Sequence, residues 1–102
     1  SGVLVGNEVG FSNDLHHAET TIFINLTSDF PMIMSEITMA FRKSHISVSR
    51  AMVESTGETE QQGAKHTYCV RSIHHDGKLH DWEIAALRKE LESIIERRLQ
   101  GE

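Results

Sequence analysis

The feature that most constrains the fold is a handover between two periodicities. Residues Thr20 to Thr27 alternate, with Ile22, Ile24 and Leu26 on one side and Thr21, Phe23 and Asn25 on the other. That is the period-two pattern of a strand with one buried face. From Met32 to about Lys43, the apolar residues Ile33, Ile37, Ala40 and Phe41 recur at helical spacing. Only Ser28-Asp29-Phe30-Pro31 separates the two. Pro31 suits the first helical position, and Ser28 and Asp29 are capping candidates just upstream. A strand that turns this tightly into a helix aims backbone N–H groups and the positive end of the helix dipole at one point. Such a point suits a small anionic ligand, for example an amino-acid carboxylate.

The remaining segments extend the same pattern. Glu8 to Ser12 alternates, with Val9 and Phe11 on one side, as in a short edge strand, and Asn13 to His17 reads as a loop. Ser44-His45 ends the first helix. Ile46 to Thr56 is rich in β-branched and small residues and predicts a second long strand. Its apolar parity shifts between Val48 and Ala51, which implies a bulge. Gly57 to Gly63 reads as a polar hairpin loop. Ala64 to Ile73 predicts a third long strand, with Tyr68 and Val70 on one face and Thr67, Cys69 and Arg71 on the other. His74-His75-Asp76-Gly77 is a turn, signalled by the Asp-Gly pair. Asp81 is placed to cap a last helix whose stripe is Ile84, Leu87, Leu91, Ile94, Ile95 and Leu99. Burying each large side chain of that stripe stabilises by roughly 1.5–3 kcal/mol, so the helix must dock. The faces carrying Ile22/Ile24/Leu26 and Tyr68/Val70 are where both helices would meet the sheet.

Bulk properties exclude several classes. The 102 residues suffice for one small domain. Residues 1–6, opening Ser1-Gly2, read as a tag remnant or linker, and 7–100 as the domain. A net charge of −5 disfavours a nucleic-acid or anionic-membrane surface. The single cysteine, Cys69, excludes an internal disulfide and fits a reducing compartment, cytoplasm or organelle stroma. No apolar run reaches membrane-spanning length.

In order and spacing, the motifs resemble the ACT domain, a small regulatory module that often senses amino acids. The likeness is to the subtype of bacterial uridylyltransferase nitrogen sensors and plant ACT-repeat proteins. Asp29-Phe30-Pro31-Met32-Ile33-Met34 stands where that subtype has Asp-Arg-Pro-Gly-Leu-Leu. Ala51, Val53, Ser55 and Gly57 match its spaced Ala, apolar, Thr, Gly pattern. Tyr68-Cys69-Val70 resembles its aromatic-x-Val strand, and Gly77-Lys78-Leu79-His80-Asp81 its turn into the second helix. The likeness covers about Asn7 to Leu99.

The resemblance implies an α+β, ferredoxin-like ACT fold. It has a four-stranded antiparallel sheet, two helices on one face and an edge strand from the N-terminal segment. It also implies a non-catalytic module that senses an amino acid, pairs with a like domain as a homodimer or in tandem, or does both. The implied ligand positions are Asn25, Ser28, Asp29, Phe30, Pro31, Met32 and Ile33, with the N–H groups of Met32 and Ile33 as donors. The chain departs from the family in two places. Phe30 replaces Arg, and Met32 replaces a Gly that lets the backbone approach a ligand, so the Met32 side chain would narrow the pocket.

Other chemistries compete with this reading. A ligand-free dimerisation or docking module is one. A histidine-based metal-binding domain is another. There are seven histidines, in pairs His16-His17 and His74-His75 with His80 nearby, and His74 and His80 are placed to converge across a turn. No zinc-ligand spacing is matched, so no metal ligands and no cofactor are assigned. Cys69 lacks an activating base and reads as a packed strand thiol. Glu54, Glu58 and Glu60 read as a solvated hairpin rather than an acid/base group. Met32, Met34, Met39 and Met52 offer an adaptable surface, with packing as the default.

Overall fold

The structure, a computed structural model, describes residues 4–57 and 62–101. The order is β1 (Glu8–Ser12), β2 (Thr20–Leu26), α1 (Ile33–Lys43), β3 (Ile46–Thr56), β4 (Gly63–Ser72) and α2 (Asp81–Leu99). All four strands form one antiparallel sheet in the order β1-β2-β4-β3. The architecture is α+β and is compatible with a ferredoxin-like fold. Expected acidic residues Glu58 and Glu60 lie outside the described residues, as do Ser1 to Val3.

Alternation decides which face is buried. Ile22, Ile24 and Leu26 of β2 line up with Tyr68 and Val70 of β4 and with Val9 of β1. They join Ile33, Ile37, Ala40 and Phe41 of α1 and Leu87, Leu91, Ile94 and Ile95 of α2 in one core cluster. Both helices therefore cover the same face. The opposite face carries Phe23, Asn25, Thr67, Cys69 and Arg71, all half-buried. Between Val48 and Arg50 the β3–β4 register slips by one residue. This bulge restores parity, so Ala51 stands opposite Tyr68 and Val53 opposite His66.

Both helix starts differ from the sequence expectation. Helix α1 begins at Ile33, and neither Ser28 nor Asp29 caps it. Its N-cap is Met32, in the left-handed conformation (φ 66°), with no side-chain capping bond. Pro31 is therefore in the turn and not in the first helical position, because a left-handed residue after it interrupts the helical run. Asp81 is likewise the first helical residue and not the cap of α2. His80 takes the extended cap conformation, and its N–H donates to Glu83 Oε1 at 2.8 Å. The chain is held extended there because Leu79 is buried and its N–H donates to Thr20 Oγ1 at 2.8 Å. Asn13 reinforces the joint by donating from Nδ2 to the Leu79 carbonyl.

Candidate functional site

The β2–α1 turn is the principal candidate. Ser28 and Asp29 are exposed, and the Asp29 N–H donates to the Gln62 carbonyl at 3.1 Å, tying the turn to the start of β4. Phe30 is half-buried and packs on the core. Pro31 and Met32 are exposed, Met32 at 71%, while Ile33 is buried. A Met side chain in left-handed backbone is a costly choice, since that region suits glycine. It is also the position at which the resemblance implies Gly.

The N–H donors are only partly open. Ile33 N–H donates to the Phe30 carbonyl at 3.3 Å, and Glu36 N–H to the Met32 carbonyl at 3.2 Å. The Met34 and Ser35 N–H groups lie between these two, where a helix has no partner of its own to offer. Arg98, from the last turn of α2, reaches over the same place. Its Nη2 donates to the Pro31 carbonyl, and its Nε to Glu36 Oε1 at 2.5 Å. The Glu36 carboxylate thus supplies an internal anion at the helix N-terminus and neutralises Arg98. Arg98 and Glu36 were not selected from sequence. An arginine near a helix C-terminus reads as dipole complement, and its reach to another helix is a tertiary fact.

Asn25 does not join this cluster. It points to the open sheet face and lines a separate cleft of about 360 Å³ with Thr27, Thr56, Gly57, Gly63 and Lys65. His66 is a further residue without a sequence signal. It is 1% exposed on the helix-side face of β4, with Nδ1 2.7 Å from Tyr68 Oη and Nε2 without a partner among the described residues. Burial lowers its pKa, and the Asp29 carboxylate partly opposes that shift.

The histidines gather differently from the expectation. His74 does not converge with His80. Its ring lies against His45, with centroids 4.7 Å apart, while His80 stacks on His75 at 3.9 Å and 8°. The turn after β4 explains the exchange. Ser72 N–H donates to the Gly77 carbonyl at 2.8 Å, and Asp76 is left-handed (φ 49°). This closed loop turns His75 toward His80 and Glu83 and leaves His74 beside His45. His16 and His17 stack on each other at 4.5 Å in the β1–β2 loop.

Glu83 joins the His75–His80 pair. It is 5% exposed, and its Oε1 accepts from His75 Nε2 at 2.7 Å as well as from the His80 N–H. Burial alone would raise its pKa. Hydrogen bonding from His75 and the His80 backbone, with the nearby Ser72 hydroxyl and the His75 charge, overcomes this and brings it down to about 2.

Compared with protein-family models, curated proteins and solved structures, the chain matches none. Among the described residues, no helix is long and apolar enough to cross a membrane.

Proposed function

We propose that the chain is a non-catalytic regulatory module of ACT type that pairs with a like domain and takes an amino acid at the β2–α1 turn. The observation that carries the reading is the backbone at Met32. A left-handed residue directly after Pro31 and directly before an uncapped helix is what a glycine-bearing ligand turn requires. The N–H groups of Met34 and Ser35 would meet a carboxylate there, with Asp29 and Ser28 exposed alongside. Arg98 is already engaged by Glu36, so it would hold the turn and not the ligand. A ligand bridging two domains would act as a regulator only through different affinities for their two arrangements.

A second reading, a ligand-free pairing module, has its own support in β3. That strand is at the sheet edge, and every residue from Ser49 to Thr56 is exposed, including Met52 and Val53. Such an edge offers a row of backbone donors and acceptors to another strand. A Met32 side chain where the resemblance implies Gly favours the same reading.

One experiment separates the two. The chain is screened by thermal shift against the twenty amino acids, with mass by light scattering in the same samples. A rise in melting temperature with one amino acid, beyond pH and salt controls, supports the sensor, and linkage gives its affinity. No shift with a dimeric mass supports pairing alone. No shift with a monomeric mass removes both readings for the isolated chain. Phe30→Arg with Met32→Gly should create or strengthen amino-acid binding if the Met32 side chain is what narrows the site.

A further inference from the structure

We propose that His75, His80 and Glu83 form a binding site for a divalent metal ion of the zinc class, at the junction of the β4–α2 turn and the first turn of α2. The donor atoms of these three side chains lie within 4.8 Å of one another. Two imidazoles and one carboxylate are borderline nitrogen and oxygen donors. That set suits Zn²⁺ and its neighbours rather than Ca²⁺ or Mg²⁺, which take oxygen alone, or Cu⁺, which takes sulfur.

Glu83 is the observation that points to a ligand. Its carboxylate is nine-tenths buried, yet Oε2 accepts no hydrogen bond of normal geometry among the described residues. The Ser72 hydroxyl is close enough to stabilise the charge without closing a bond to that oxygen. A buried anionic oxygen with an open lone pair is costly, and a cation is the partner that removes the cost. The positive end of the α2 dipole opposes a cation here. Two carboxylates in the first helical turn, Asp81 and Glu83, offset it.

The scaffold holds the donors from three directions. His75 stands on the turn closed by Ser72 and Gly77, His80 follows the anchored Leu79, and Glu83 is fixed by the His80 N–H. A tetrahedral ion with bonds of roughly 2.0–2.2 Å needs its donors roughly 3.3–3.5 Å apart. His75 Nε2 and Glu83 Oε1 are already closer than that, at 2.7 Å. That pair must open and the widest separation must contract, and side-chain rotation of the exposed His75 and His80 supplies both. With Glu83 ionised, His75 Nε2 carries the proton that bridges them. On coordination that proton leaves Nε2 for solvent, any proton the ring keeps resides on Nδ1, and the Nε2 lone pair turns to the metal. Three protein ligands leave a fourth position for water.

The test is calorimetric titration of Zn²⁺ into the full chain in chelator-free buffer, with imidazole nitrogen and carbon shifts followed by NMR. One ion should bind per chain, saturably. The shifts should move at His75 and His80 and stay still at His16 and His17. His75→Gln with His80→Gln should weaken binding at least about tenfold, while His16→Gln with His17→Gln leaves it unchanged. If the His75/His80 variant fails to fold, the shift pattern of the unaltered chain decides alone. No saturable binding, equal losses in both double variants, or shifts centred on His16 and His17 would overturn the proposal. None of these outcomes depends on whether the β2–α1 turn binds an amino acid.

Discussion

Inside the core, the imidazole Nδ1 of His66 and the hydroxyl of Tyr68 meet at 2.7 Å, both residues on the helix-side face of β4. The Tyr68 ring packs edge-on against Phe41 of α1, with centroids 5.1 Å apart, and burial pushes the Tyr68 pKa up to about 12. The pair is a polar island with one loose end, His66 Nε2. Protonating His66 would bury a charge, and that desolvation is why its pKa is lowered.

The pH dependence of stability follows with its sign. Below the ordinary value of 6.5 the unfolded chain takes up a proton that folded His66 refuses. Stability from this group is therefore full above pH 6.5 and is lost as pH falls from 6.5 toward the lowered folded value. Urea midpoints measured from about pH 8 to about pH 5 should fall for the unaltered chain and fall less for His66→Leu. Parallel slopes would show that other groups carry the effect. Tyr68→Phe should cost about 1–3 kcal/mol at neutral pH, because it strands Nδ1 as well. Asp29→Asn removes the charge that opposes the shift, so the His66 imidazole pKa read by NMR should drop further.

Met32→Gly tests the turn. A left-handed non-glycine residue costs about 1–2 kcal/mol, and Met32 is exposed enough to lose little burial. Part of that gain is offset by the freedom glycine has when unfolded. The expected outcome is a net stabilisation of about 0.5–1 kcal/mol in urea melts. Met32→Ala, which keeps the strain, should show none. Destabilisation by glycine would mean that the Met side chain holds the turn by packing.

Gly63 has no room for a side chain. It begins β4 opposite Thr56, and a Cβ there would collide with the Leu26 carbonyl oxygen and come within 2.8 Å of Thr56 Oγ1. The colliding carbonyl is backbone and cannot rotate away. Gly63→Ala should destabilise by about 1–3 kcal/mol, as overpacking does. Gly77→Ala, whose Cβ would find ordinary contact distances at His75, is the control and should be milder.

Strand and helix periodicity made most of the fold legible. The bulge near Val48 was visible because apolar parity changes within Ile46–Thr56, and the Ile22/Ile24/Leu26 face was readable from strict alternation. Helix starts were less legible. Pro31 and Asp81 carry strong local signals, but Met32's backbone and the anchoring of Leu79 on Thr20 moved each start by contacts distant in sequence. The site residues divide in the same way. Asp29 to Ile33 are contiguous, so one local motif names them together. His66 gives no sequence signal because one polar residue in a strand usually faces water, and here it faces Tyr68. His75 and Glu83 meet through a loop whose closure no local pattern reports.

Arg98 joins the two ends of the helix layer. From the last turn of α2 it donates to Glu36 Oε1 at 2.5 Å and to the Pro31 carbonyl, so it holds the start of α1 by a side chain and by backbone. Hydrogen bonds to charged groups contribute about 1.5–3 kcal/mol when buried. The Glu36 side chain is 34% exposed and that of Arg98 19%, which discounts the value through solvent screening. Arg98→Ala should therefore cost about 1–2 kcal/mol. Arg98→Lys should recover only part, since a single ammonium cannot reproduce the planar fork. Glu36→Gln should cost less than Arg98→Ala because the Pro31 contact survives. Hydrogen exchange locates the effect: in Arg98→Ala the amides of Glu36 and Ile37, the first bonded ones of α1, should lose protection while those of β2 and β4 keep theirs. Uniform loss across the sheet would instead make Arg98 a contributor to global stability alone, with no special hold on the turn.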